Sequence, residues 1–134
     1  MTLKDFLNKN DRFAACSGAR LTEIREGYAR AEMTVTDDHL NAGGVCQGGA
    51  LFTLCDLALA AVMNSHGKLT FSIESTISFL HSAVKGDVLT AEAVEIYNHH
   101  KIPYLEVKVS NQNSQLICAF TAVAYRKAQD LEIK

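Results

Sequence analysis

A single carboxylate stands inside the most apolar stretch of this sequence. Between Ala50 and Met63 (ALFTLCDLALAAVM) only Thr53 and Asp56 are polar. An isolated charge in such surroundings costs several kcal/mol unless it is paired, hydrogen-bonded or protonated. Directly before this stretch lies NAGGVCQGG, residues 41–49, a glycine-rich loop. A loop of this kind opening a helix presents free backbone N–H groups and a partial positive charge, both suited to an oxyanion. Gly48 and Gly49 leave the backbone bare there, so a carbonyl can approach closely. One acidic group and one oxyanion site, joined by a single helix, point to hydrolysis of an activated carbonyl. Each residue also has a plainer reading. Asp56 can be a structural carboxylate held by backbone or by Thr53, the glycines can serve a tight loop, and Asn41 a turn or cap.

The surrounding elements follow from periodicity. Leu3, Phe6, Leu7 and Phe13 fit one face of a short amphipathic N-terminal helix. Residues 19–24 and 28–35 read as strands joined by a turn at Arg25-Glu26-Gly27. Residues 37–49 form a loop, and 49 to about 65 the apolar helix. From Leu69 to about Arg126 the chain reads as four strands; Leu105, Val107 and Val109 alternate with Glu106, Lys108 and Ser110, a sheet with one wet face. Gly86-Asp87 and residues 111–114 mark turns, and Pro103 calls for an edge, a bulge or a strand start. A helix apolar nearly all round must be covered on most sides. An antiparallel sheet curling around it does this. A helix lying flat on an open sheet leaves Leu51, Leu54, Leu57, Leu59 and Val62 to a partner. Either geometry predicts an oligomer.

Composition narrows the class. At 134 residues the chain reads as one domain, 1–134, large enough for its own core. A net charge of −2 and the lack of a basic stripe argue against nucleic acid. MTLKDFLNKNDRF lacks the apolar core of a secretory signal, and the 50–63 run, about 21 Å as a helix, is shorter than the roughly 30 Å bilayer core. No membrane segment is expected. Cys16, Cys46, Cys55 and Cys118 show no ligand spacing and are expected as reduced thiols of a cytoplasmic protein. Of the five histidines only His99 and His100 are adjacent, and neighbours on a strand face opposite sides, so no metal and no cofactor are expected.

The pattern Asn41-x-x-Gly44-x-x-Gln47-Gly48-Gly49, continued by ALFTLCD to Asp56, resembles the signature of the hot-dog-fold acyl-CoA thioesterases, closest to the PaaI-type (phenylacetate-pathway) group. That group typically carries N-x-x-G-x-x-H-G-G followed by L-x-D. SIESTISFL, residues 72–80, resembles the strand that follows the helix in the family, and the similarity runs from about Gly18 to Arg126. The resemblance implies an α+β hot-dog fold, an antiparallel sheet wrapped around one long central helix. It also implies a homodimer made by joining two sheets, often a homotetramer of such dimers, and hydrolysis of an acyl-CoA to free acid and CoA. Asp56 takes the role of base or nucleophile, the Gly48 N–H that of oxyanion donor, and Asn41 orients substrate or water. Gln47 departs from the pattern, standing where histidine is usual. Glutamine keeps a donor and an acceptor but cannot hold a proton charge near neutral pH, so a positioning role survives and an acid/base role does not.

Geometry divides these roles between subunits. Asp56 follows Gly48 by eight residues, about 12 Å along a helix axis. Both must approach one carbonyl to roughly 3 Å. The site is therefore expected to combine Asn41, Gln47 and Gly48 of one subunit with Asp56 of its partner. Thr53, one turn before Asp56, is placed to hydrogen-bond the carboxylate or a water. Gly49 flanks the substrate, and Thr70 and Ser72, at the start of the strand after the helix, are expected along the pantetheine channel. Lys68, Arg126 and Lys127 are candidates for coenzyme A phosphates, while Phe52, Met63, Phe79 and the N-terminal helix would set pocket depth. Two other functions compete. A hot-dog dehydratase needs a second proton-transferring group that the helix lacks. A non-catalytic acyl-CoA-binding or regulatory module is favoured only by Gln47.

Overall fold

The computed structural model of the protein describes residues 1–133. Its elements are α1 (Leu3–Asn10), α2 (Arg12–Cys16), β1 (Arg20–Arg25), β2 (Tyr28–Thr34), α3 (Gly48–Met63), β3 (Lys68–Phe79), β4 (Val88–Tyr97), β5 (Tyr104–Ser110) and β6 (Leu116–Asp130), with a 3₁₀ turn at Asp37–His39. Among the described residues the strands form one antiparallel sheet in the order β1-β2-β4-β5-β6-β3. The sheet curls around α3, and this is the hot-dog fold.

Small side chains make the curl possible. Ala29 lies opposite Ala93 and Ala31 opposite Ala91 across β2 and β4, and Ala122 and Ala124 continue the inner face on β6. A row of methyl groups lets the helix axis come close, and the larger core residues Leu89, Leu105, Val107 and Phe120 fill the remaining space. On α3, Leu51, Leu54, Leu57, Leu59 and Val62 are all buried within one chain, so the helix does not lie on an open sheet. Gly49, Phe52, Thr53, Asp56 and Ala60 form the one stripe that is not fully covered. The alternation on β5 is as expected, with Leu105, Val107 and Val109 inward. Pro103 immediately precedes β5, a strand start, and its carbonyl accepts from the Ala124 N–H.

Asn64 ends the helix and ties it to the next strand. Its side-chain amide donates to the Ala60 carbonyl at 2.8 Å and its oxygen accepts from the Thr70 N–H at 2.9 Å. Gly67, with φ +83, turns the chain out of that clasp. The strand it enters, β3, runs to the far edge of the sheet rather than beside its sequence neighbours.

Two expectations change. The N-terminal helix is broken at Asp11, which ends α1 and whose carboxylate caps α2 by accepting from the Ala14 N–H at 3.1 Å. Phe13 therefore does not share a face with Leu3 and Leu7; it is 74% exposed on the second helix. His99 and His100 are not opposed across a strand. They lie after β4 with rings stacked 4.4 Å apart, and His99 Nδ1 accepts from the Lys101 and Ile102 N–H groups.

Candidate active site

Gln47 is the N-cap of α3. Its backbone is extended, and its side-chain carbonyl accepts from the Gly49 N–H at 2.8 Å. The Gln47 N–H itself donates to the His39 carbonyl, which fixes the entry of the chain. One turn later the Ala50 N–H is satisfied by the Gln47 carbonyl. Among the described residues nothing accepts from the Gly48 N–H. The helix start thus keeps one backbone donor free, at the position expected to serve an oxyanion. A Cβ on Gly48 would come within 2.8 Å of the Phe79 ring, so that ring packs on bare backbone beside the donor.

Because Gln47 acts through an acceptor oxygen, histidine can replace it with a ring nitrogen accepting from Gly49. We expect Gln47→His to retain folding stability, whereas Gln47→Ala should lose about 1 kcal/mol, the usual worth of a helix N-cap. Urea unfolding of the three proteins measures this, and equal midpoints for wild type and Gln47→Ala would remove the capping role.

Asn41 proves to be chiefly the organiser of the loop. Its side-chain oxygen accepts from the Gly43 and Val45 N–H groups at 2.9 and 3.2 Å, and only its NH₂ group remains to meet a substrate. His39, not singled out from the sequence, holds the loop from behind. The Thr36 N–H donates to its Nδ1 at 2.9 Å, and its Nε2 donates to the Ser17 carbonyl. Both ring nitrogens are thereby occupied, and the loop is anchored to the end of α2. An Asp-Asp-His turn ahead of a glycine loop was the only local signal of this.

Asp56 lies half-buried on the uncovered stripe of α3, and among the described residues no group hydrogen-bonds its carboxylate. Thr53 does not pair with it; the Thr53 hydroxyl donates to the Gly49 carbonyl at 2.8 Å. Burial, and in smaller part the nearby Asp11 carboxylate, hold Asp56 above the usual carboxylate range. Cys46 is no rival nucleophile, since burial pushes its thiol up to about 11. All four cysteines are free thiols.

Two cavities flank the loop. One, about 370 Å³, is lined by Gly48, Cys46, Leu51, Phe79 and residues 80–83. The other, about 560 Å³, is lined by Phe13, His39, Leu40, Gly49, Ala50 and Thr53. Asn41 borders both. Thr70 is not brought to this site: it is buried, and its hydroxyl donates to the Lys68 carbonyl. Ser72 is exposed along β3. Of the cations proposed for phosphates, Lys68 pairs with Asp130, and Arg126 faces Glu95 at 3.6 Å while donating to the His99 carbonyl. Lys127 lies over the Phe71 ring at 5.6 Å. Met63 is buried far along α3, and Phe52 stacks edge-on against Phe120 at 5.2 Å.

The sequence pattern of the thioesterase superfamily matches residues 43–118. A candidate esterase of Archaeoglobus fulgidus is 41% identical over 128 residues, covering 96% of this chain and 83% of that protein. The acyl-coenzyme A thioesterase PaaI of Escherichia coli is 33% identical over 118 residues, covering 88% and 84%. The solved structure of the latter superposes with a TM-score of 0.89 at 29% identity, over 98% of this chain and 100% of that one. A Streptococcus mutans protein bound to acetyl CoA superposes with a TM-score of 0.79 at 26% identity, over 83% and 90%.

Proposed function

Because the chain belongs to the thioesterase superfamily and is a thioester hydrolase, we propose that it hydrolyses acyl-CoA at a site shared by two subunits. The observation that carries this reading is the pairing of an unengaged Gly48 N–H at the head of α3 with an unpartnered Asp56 two turns along it. The thioester carbonyl oxygen sits on the Gly48 N–H, where charge develops as the carbon is attacked. Asp56 of the second subunit takes a proton from water as general base, or attacks the carbonyl carbon itself to form an anhydride that water then opens. Either way the carbon–sulfur bond breaks and coenzyme A leaves as its thiolate, a leaving group that needs little acid assistance.

The second subunit is brought by β3. This strand is 12 residues long, sits at the sheet edge and exposes Phe71, Ile73 and Phe79. Long unprotected edges pair with other chains. Pairing β3 with β3 of a second copy brings the two uncovered α3 stripes toward each other, and a second copy of that dimer gives the tetramer. Gly49 then flanks the carbonyl, and the NH₂ groups of Asn41 and Gln47, whose oxygens alone are engaged, are side-chain donors left to contact substrate or water.

Thiol release from a panel of acyl-CoAs tests the activity, and its pH dependence tests the assignment of Asp56. Only the ionised carboxylate acts in either role, so kcat/KM should fall on the acid side, with a midpoint above the ordinary value near 4. Asp11→Asn keeps the α2 cap but removes a negative charge that opposes ionisation of Asp56. The acid limb should therefore move to lower pH in that variant. An unmoved limb would separate Asp11 from the site; absence of thiol release from every acyl-CoA would defeat the proposal as a whole.

A further inference from the structure

Resting on the roles proposed above for Gly48 and Asp56, we infer that Cys55 and Cys118 form a redox switch. Hydrogen peroxide joins them in a disulfide that draws α3 against β6 and disables the site, and a dithiol reductant releases it. The two residues stand 63 positions apart, one on the central helix and one on β6, yet their sulfurs lie 3.9 Å apart in the core. Farther along, the inner face of β6 meets the helix with the plain methyl groups of Ala122 and Ala124. A disulfide holds its sulfurs at about 2.05 Å, so the pair must close by roughly 2 Å, shared between side-chain rotation and movement of the helix. Cys55 immediately precedes Asp56 on α3. Cys118 lies opposite Phe79 across β6 and β3, and the Phe79 ring packs over Gly48. Closing the pair therefore pulls on both of the groups that one subunit supplies to the shared sites.

The two thiols are unequal. The hydrogen bond between them, and then burial, hold the Cys55 proton in place, while the same hydrogen bond brings Cys118 below the ordinary thiol range. Cys118 is therefore the sulfur that ionises first and attacks. It takes one oxygen of hydrogen peroxide, the O–O bond breaks, and the hydroxide released picks up the proton that Cys118 lost. Cys55 then attacks the sulfur of the resulting sulfenic acid. The S–S bond forms, and the sulfenic hydroxyl leaves with the Cys55 proton as a second water. Two thiols are oxidised by two electrons, and the peroxide is reduced by the same two.

The cavity of about 370 Å³ gives a small oxidant its approach. Its wall holds Phe79 and Cys46, and Cys46 is near enough for a charge on Cys118 to add to the burial that raises its own thiol. Cys46 does not compete for the bridge, since its S–H points to the Gln47 carbonyl at 3.8 Å. Cys16 is the exposed thiol and stands apart on α2. A misplacement of about 1 Å at a reacting centre costs on the order of a hundredfold in rate, so a helix displaced at Cys55 is felt at Asp56.

The test uses Cys16→Ala, which removes the exposed thiol and should leave basal turnover unchanged. This protein is treated with hydrogen peroxide, its remaining thiols are blocked under denaturing conditions, and its peptides are mapped by mass. Turnover of acyl-CoAs is followed in parallel by loss of thioester absorbance. We expect a linked Cys55–Cys118 peptide, turnover lowered about tenfold to a hundredfold, and recovery of both thiols and turnover with dithiothreitol. Adding Cys118→Ala should abolish the response to peroxide, and inhibition that persists there overturns the switch. The mapping itself needs no substitution in the core. Cys55 and Cys118 recovered as free thiols overturn the inference, as does Cys118 carried to a sulfinic acid without a link, or a link that leaves turnover unchanged. If the reduced protein hydrolyses no acyl-CoA, the hydrolase reading falls, and calorimetry with S-butyl-CoA, a thioether that cannot be hydrolysed, decides the switch. Weaker binding by the linked protein upholds it, and equal binding overturns it.

Discussion

Asp56→Asn should abolish nearly all turnover and at the same time make the protein harder to unfold. Asparagine keeps the size of the side chain but can neither attack a carbonyl nor take a proton from water. Loss of such a group costs on the order of 10²–10⁴ in kcat. The stability effect has a definite sign. The carboxylate is half-buried, receives no hydrogen bond within the described chain and is held above its ordinary range, first by burial and then by Asp11. For an acid whose folded-state pKa is raised, the favourable contribution is fully present below the unfolded value of 3.8 and is lost as pH rises through the folded value. At neutral pH ionised Asp56 is therefore a net cost that the amide removes. The melting temperature of Asp56→Asn should exceed that of wild type at pH 7, and the gap should narrow as the pH approaches 4. Lower activity with lower stability would instead mark Asp56 as structural. Full activity in the purified variant would remove it from the chemistry.

That opposition between activity and stability is what made Asp56 legible in the sequence. A charge within an apolar helix violates the local pattern, and such violations concentrate at functional sites. The helix itself, the alternation on β5 and the turns at Gly27 and Gly86 were equally readable, because each depends on neighbours a few residues away. The place of β3 was not. It leaves α3 and pairs with β6, nearly fifty residues on (Thr76 lies opposite Thr121), and no local signal encodes that choice. The wrap of the sheet follows from it, since the edge position of β3 lets the other strands close over the helix.

Within the site, residue types were legible and their individual partners were not. Asn41, Gln47 and Thr53 each have two or more acceptable hydrogen bonds, and the backbone around them decides. Asn41 turned inward to fold the loop, Thr53 to the carbonyl one turn back, and Gln47 to the Gly49 N–H. The same limit applies to cations. Lys68 and Arg126 became intrachain partners because β3, β4 and β6 bring Asp130 and Glu95 to them. The break at Asp11 does have a local signal, since an aspartate three residues before a buried alanine is a helix start, but the apolar spacing of Leu3, Phe6 and Leu7 concealed it.

Division of the site between subunits should appear as recovery of activity from two inactive proteins. Gly48 is the first residue of α3 and its N–H donates to nothing in the described chain, so Gly48→Pro deletes that donor without breaking a helical hydrogen bond. Gln47 has φ −67 and ψ 140, the conformation favoured before proline. The one close contact is with the far edge of the Phe79 ring, 2.8 Å from where a Cβ would stand, and it is met by a shift of that side-chain end rather than of backbone. The variant should fold, and losing one oxyanion donor should lower kcat by about 10²–10³. Mixed with Asp56→Asn and allowed to exchange subunits, it forms heterodimers in which one site lacks both groups and the other has both. Random exchange makes half the dimers mixed with one intact site each, so turnover should return to about a quarter of wild type. If both groups instead belonged to one subunit, every site would lack one of them and the mixture would stay as inactive as its components. Verified heterodimers without recovered turnover would therefore refute the shared site while leaving the family and the fold untouched.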